Sequence, residues 1–221
     1  MQQRKNATRR DMLRYAASGL GALALSSQAE ASRFINFWQP QPSSYKLDPK
    51  HLKPLQLKGR LKQSACRWCY NKVSFEDLCK AAKAMGLVGI DLVNDKKDWE
   101  TLKRYGLQAT MVAGAGTIPI GFNRLEHHDK LVADFRENAK AAGEAGWKNV
   151  ITFSGNRVGK PDGEAIDNCV VGLNRIKNIA DEFNVTICME LLNSKVDHKD
   201  YHFDHMPWGV EVLKRVNHPR V

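Results

Sequence analysis

Residues 87–113 read LVGIDLVNDKKDWETLKRYGLQATMVA. Within them an apolar run (87–93) has strand length, residues 98–105 belong to a short helix stopped by Gly106, and residues 107–113 form a second apolar strand. Two strands joined through a helix run parallel, because a crossover of this kind brings the chain back to its starting side. The same unit repeats on both sides. Upstream, residues 61–68 make a first strand. Ser74 then caps a helix with Asp77 three residues on, and Phe75, Leu78, Cys79, Ala82 and Met85 recur at helical spacing before Gly86. Downstream, the Gly-rich loop 114–117 leads to a long helix at 128–145, with Leu131, Val132, Phe135, Ala139 and Ala142 on its apolar face. A fourth strand at 149–153, a helix at 163–183 and a fifth strand at 185–191 follow. A polar loop (193–206) then enters a helix with Pro207 in its first turn. Strict alternation of this kind predicts an α/β protein with a parallel sheet.

The first 31 residues stand apart from this pattern. Arg4, Lys5, Arg9, Arg10 and Arg14 are followed by the apolar run 15–25 and by Ala29-Glu30-Ala31, the order of charge, apolar core and small-residue cleavage site found in export leaders. Thr8-Arg9-Arg10-Asp11-Met12-Leu13-Arg14 resembles a twin-arginine signal, so the expectation is a periplasmic protein. The apolar run is too short to span a bilayer stably. Residues 32–60, with four prolines and a cluster of lysines, read as an extended basic arm. The whole chain of 221 residues carries a net charge of +10; from residue 32 onward 29 basic and 22 acidic residues leave +7. No aromatic-interleaved platform accompanies this charge, so nucleic acid is not an expected partner. Five cysteines leave at least one thiol unpaired. Cys66-Arg67-Trp68-Cys69 has C-x-x-C spacing, but residues 70–73 intervene before the next helix, which argues against a thiol-redox motif.

In parallel α/β folds the reacting groups lie at the C-terminal ends of strands. Those ends carry Arg67-Trp68-Cys69-Tyr70, Asn94-Asp95, Gly114-Ala115-Gly116, Ser154-Gly155-Asn156 and Glu190-Leu191-Leu192-Asn193. No G-x-G-x-x-G follows the first strand and no P-loop occurs, so a nucleotide fold has no support. Glu190 closes an apolar strand, where a carboxylate is costly unless it is paired or holds a metal. Either a structural ion pair or a functional group fits that position. The following loop holds His198, His202 and His205; His198 and His202 would share a face if the segment were helical. Imidazole and carboxylate suit a divalent transition metal, although substrate contact is the stronger reading for His198. His127 and His128 read as a solvated helix start, and Asp91 as a buried acid within strand two.

Taken in order, S-x-C-R-W-C-Y after strand one, G-I-D-L-V in strand two, Ile-Thr-Phe-Ser-Gly-Asn at strand four and M-E-L-L-N-S at strand five resemble the hydroxypyruvate isomerase group of the xylose isomerase-like TIM barrels, over residues 60–221. This resemblance implies a (β/α)8 TIM barrel, here incomplete at about five βα units, because 190 residues after the leader fall short of the ~250 of a whole barrel. It implies a sugar isomerase or epimerase acting on a small hydroxy-carbonyl substrate with a divalent metal (Mg, Mn, Co or Zn). Glu190 would be a metal ligand and one of two acid/base carboxylates. Trp68, Tyr70, Asn193 and His198 would contact substrate. The family's other ligands come from strands six to eight, so the resemblance also implies a chain that is inactive alone. The alternatives are a non-catalytic sugar-binding or truncated pseudo-enzyme module, and a metal-dependent endonuclease of the same fold. An uncovered edge at strand five would favour a homo-oligomer.

Overall fold

The computed structural model describes residues 60–221. The expected signal peptide (1–31) and nearly all of the basic arm (32–60) lie outside the described residues. Five strands form one sheet in the order β1-β2-β3-β4-β5: β1 at Ser64–Cys66, β2 at Gly89–Asp91, β3 at Gln108–Ala115, β4 at Asn149–Thr152 and β5 at Thr186–Met189. Every neighbouring pair is parallel. Each gap between strands is crossed by one α-helix: α1 at Phe75–Ala84, α2 at Lys96–Arg104, α3 at His128–Ala145 and α4 at Asp162–Glu182, with α5 at Met206–Val216 following β5. Sequential strand order with a helix after every strand is how a (β/α) barrel is wound.

The helices begin where local chemistry satisfies their free amides. Ser74 Oγ accepts from Asp77 N at 3.1 Å and donates to Asp77 at 2.7 Å, the expected cap. The second helix starts at Lys96 rather than near residue 98, because Asp95 caps it through the amide of Lys97 at 3.2 Å. Gly146 closes α3 in the left-handed conformation, at φ 88°, which glycine adopts without a Cβ penalty.

One apolar layer lies between sheet and helices. Ile90, Ala109, Val112, Val150 and Ile187 from the strands meet Leu78, Leu102, Phe135, Ala139, Cys169, Leu173 and Ile176 from the helices, all buried in one cluster. Two strand limits differ from the sequence reading, with consequences for the site. The first strand stops at Cys66, and Arg67–Tyr70 winds into a 3₁₀ turn. The third strand runs on to Ala115, taking in Gly114 and Ala115 that the sequence places in a loop. Gly114 allows this because a Cβ there would lie 2.5 Å from Ile151 O on the adjacent strand.

Candidate active site

The strand ends open onto a cavity of about 760 Å³. Its floor is Leu92 after β2, Ala113–Gly116 at the end of β3, Ile151 and Phe153 at β4, and Glu190 immediately after β5. Trp68, from the turn after β1, and His198, from the loop after β5, line the same cavity as Glu190. Three of the five residues singled out from the sequence therefore line one cavity. Tyr70 and Asn193 do not. The 3₁₀ turn carries Tyr70 away from the mouth, where it is largely exposed, and Asn193 is exposed with its side-chain oxygen accepting from Lys195 N at 3.0 Å. Asn193 also accepts His198 N at 3.0 Å through its carbonyl. Its role in the structure is to fold the loop that presents His198.

Glu190 is a half-buried carboxylate on the cavity. Burial pushes its carboxyl above the usual carboxylate range, and the charge of nearby His198 pulls partly against that rise. No basic side chain forms an ion pair with it among the described residues, so the structural-pair reading of this position lacks a partner. Its backbone is fixed on both sides. Glu190 N donates to Thr152 O at 3.0 Å, continuing the β4–β5 ladder, and its carbonyl accepts from Tyr201 Oη at 3.0 Å.

Tyr201 and His202 belong to the scaffold beneath the site. Tyr201 is fully buried, and its hydroxyl also accepts from Ser154 N at 2.9 Å. Its phenol is held protonated by burial. His202 is likewise sealed from solvent: Nδ1 lies 2.8 Å from Asn123 Nδ2 and Nε2 3.1 Å from Lys160 O. Nε2 must carry the proton to donate to a carbonyl, leaving Nδ1 to accept from the amide. The segment 198–202 is not helical, so His198 and His202 do not share a face; one reaches the cavity and the other the core. His128 departs from the solvated helix start expected of it. It is buried, with Nε2 2.9 Å from Phe122 O. Asp91 accepts from Ser64 Oγ at 2.8 Å and from Thr110 Oγ1, which occupies the acid within the sheet.

Further polar side chains on the cavity include Asn94, Asp134 and Asn138. Asn94 Oδ1 accepts from Ala113 N and Asn138 Nδ2 donates to Gly114 O, both at 2.9 Å. Asp134 is paired with Lys130 at 2.8 Å. The sequence carries a signal for the latter two, since Asp134 and Asn138 are four apart on α3 beside the buried stripe Leu131, Phe135, Ala139 and Ala142.

A divalent metal needs several oxygen or nitrogen donors converging on one point. Among the described residues no three His, Cys, Asp or Glu side chains do so. Glu190, His198 and Asp134 line one cavity without converging on a point, and that donor set does not fit a metal by itself.

A profile of the xylose isomerase-like TIM barrel matches residues 79–221. No curated protein sequence matches the chain. Among solved structures it is similar to an AP endonuclease, family 2, from Brucella melitensis (TM-score 0.62, 18% identity, covering 73% of this chain and 67% of that one). It is also similar to the IolI protein with a bound zinc atom (0.59, 14%, 73% and 61%) and to the 3-keto-D-glucoside 4-epimerase YcjR from E. coli (0.56, 16%, 73% and 66%). At these identities the likeness concerns the fold. The chain spans about three fifths to two thirds of the length of these structures.

Proposed function

The chain belongs to the xylose isomerase-like TIM barrel family, and from that membership we propose that it is a sugar isomerase- or epimerase-like protein of the hydroxypyruvate isomerase type. Its cavity takes a small hydroxy-carbonyl compound, and Glu190 moves a proton between adjacent carbons through an enediolate. The observation that carries this reading is Glu190 itself, a half-buried carboxylate with a raised pKa facing a cavity at the end of β5. A carboxyl raised above its ordinary range is a better base once ionised, as suits a residue that takes a proton from one carbon and returns it to the next. Burial of the carboxylate strengthens it as a base, His198 steadies its charged form, and Trp68 offers an apolar wall for the carbon face of the substrate.

When bound, a divalent cation in this family would polarise the carbonyl and hydroxyl oxygens. The described donors do not complete its shell, so net turnover by this chain alone is not expected. The abstraction half of the reaction can be followed without net turnover, with the charge left on the enediolate oxygen taken up by solvent. The chain, incubated with dihydroxyacetone or hydroxypyruvate in D2O, is expected to exchange the hydroxyl-bearing carbon's hydrogen for deuterium, followed by NMR, with Glu190→Gln reducing the rate to background. Equal wash-in by the variant would overturn the assignment.

A second reading, a sugar-binding module without catalysis, is favoured by the incomplete donor set. It predicts saturable shifts of cavity resonances with no wash-in. The endonuclease reading has less behind it, since no cluster of three metal donors occurs among the described residues. No helix among the described residues is long and apolar enough to cross a membrane. Export to the periplasm by the twin-arginine route is part of the same proposal. Replacing Arg9 and Arg10 by Lys should leave the protein in the cytoplasmic fraction, and unchanged export would refute that part.

A further inference from the structure

We propose that Cys66 and Cys69 form a dithiol modification site, oxidised to an intrachain disulfide by a small disulfide of the glutathione type, and that this bond pins the turn carrying Trp68 at the cavity mouth. Cys66 is the last residue of β1 and the residue from which the 3₁₀ turn Arg67–Tyr70 departs. Cys66 is extended (φ −83°, ψ 129°) and caps that turn, with Cys69 as the turn's third residue. The ends of a four-residue turn lie less than about 7 Å apart at Cα, within the reach of a disulfide. The sequence argument against this C-x-x-C was the four residues before the next α-helix. The structure supplies a 3₁₀ turn within the motif instead, running from Arg67 to Tyr70 with Cys66 as its N-cap.

Exposure sets Cys69 apart from the other cysteines, and Cys66 is the one that stands three residues from it in the chain. Cys69 is exposed and Cys66 half-buried, while Cys79 and Cys169 are sealed in the core. Cys188 is half-buried in β5. Trp68, between the paired thiols, lines the cavity beside Glu190 and His198. Beyond its backbone bonds, the turn is held by Arg67 Nη1 donating to Tyr70 O at 3.0 Å and by the Arg67 guanidinium over the Phe75 ring at 5.4 Å.

The chemistry is two successive thiol–disulfide exchanges. The Cys69 thiolate attacks one sulfur of the oxidant, the oxidant's S–S bond breaks, and one thiolate leaves. Cys66 then loses its proton and attacks Cys69 Sγ, releasing the second thiol. Two protein thiols are oxidised and one disulfide is reduced to two thiols.

Trypsin cuts at Arg67, between the two cysteines, and this provides the test. The full chain is incubated with oxidised glutathione, alkylated and digested. The expected product is Gln63–Arg67 linked through sulfur to Trp68–Lys72, with the free thiol count falling from five to three. Cys66→Ser should instead trap glutathione on Cys69. Hydrogen exchange of the amides in residues 67–70 should slow several-fold on oxidation. Finding both cysteines alkylated, or a stable glutathione adduct on Cys69 of the parent chain, would overturn the site. Unchanged exchange would overturn the pinning. Neither readout uses isomerase activity, so failure here leaves the functional proposal standing.

Discussion

The hydroxyl of Tyr201 donates a hydrogen bond to the backbone carbonyl of Glu190 at 3.0 Å. The same oxygen accepts the amide of Ser154 at 2.9 Å, so one buried phenol ties the ends of β4 and β5 together beneath the carboxylate. The loop after β5 therefore both offers His198 to the cavity and returns Tyr201 under the residue that His198 faces.

Tyr201→Phe keeps the ring and removes the oxygen. It leaves Ser154 N–H without its acceptor in a buried place, which costs about 1–3 kcal/mol. Urea unfolding should show a lower midpoint with an unchanged slope. A change below the error of the measurement would mean that solvent reaches this amide.

The buried histidines give the fold an acid limit. Burial lowers the pKa of His202 and of His128 below the ordinary value. An unfolded histidine takes up its proton near pH ~6.5, while the folded ones resist it. Their contribution to stability is thus complete above that pH and is lost as pH falls through the folded values. His202 shows the structural reason, since protonating Nδ1 would set two donors, His202 and Asn123 Nδ2, against each other at 2.8 Å. Unfolding free energy should fall as pH drops below about 6.5, and His202→Gln should flatten part of that slope while lowering stability at neutral pH. An unchanged slope in the variant would contradict the buried neutral imidazole.

Glu190 has the opposite sign. Burial raises its carboxyl above the ~4.3 of an unfolded glutamate. Between those values the folded chain keeps a proton that the unfolded chain has released, so stability declines as pH rises through the folded value. Glu190→Gln should be more stable than the parent at neutral pH, and the difference should vanish by about pH 4. Denaturation curves at several pH values check this; a variant less stable than the parent at neutral pH would indicate a stabilising ion pair at this position.

Much of the fold was legible in the sequence because its signals are local. Apolar runs, caps such as Ser74 and stops such as Gly146 set the βα order, and the rule of strand ends then selected Glu190 and Trp68. The parts that were not legible depend on distant contacts. Asn123 and His202 meet across 79 residues, and Tyr201 reaches Ser154 across 47. Nothing in the composition of the loop separates a cavity histidine from a core one. His198 and His202 look alike in the sequence, and only the packing of the loop against residues 154–160 sends one to the cavity and the other inward. Tyr70 is assigned to the substrate pocket by family resemblance, and it is not among the residues that line the cavity. The turn at Arg67 redirects it.

The central claim is that Glu190 is the proton carrier of this cavity. The most direct measurement is the pH profile of deuterium wash-in into bound dihydroxyacetone, compared with the NMR titration of the Glu190 carboxyl carbon. The account predicts a rate that rises with pH through an inflection above the ordinary glutamate range, coincident with the Glu190 titration and absent from Glu190→Gln. An inflection that persists in the variant, or a Glu190 that titrates like an exposed glutamate, would contradict it.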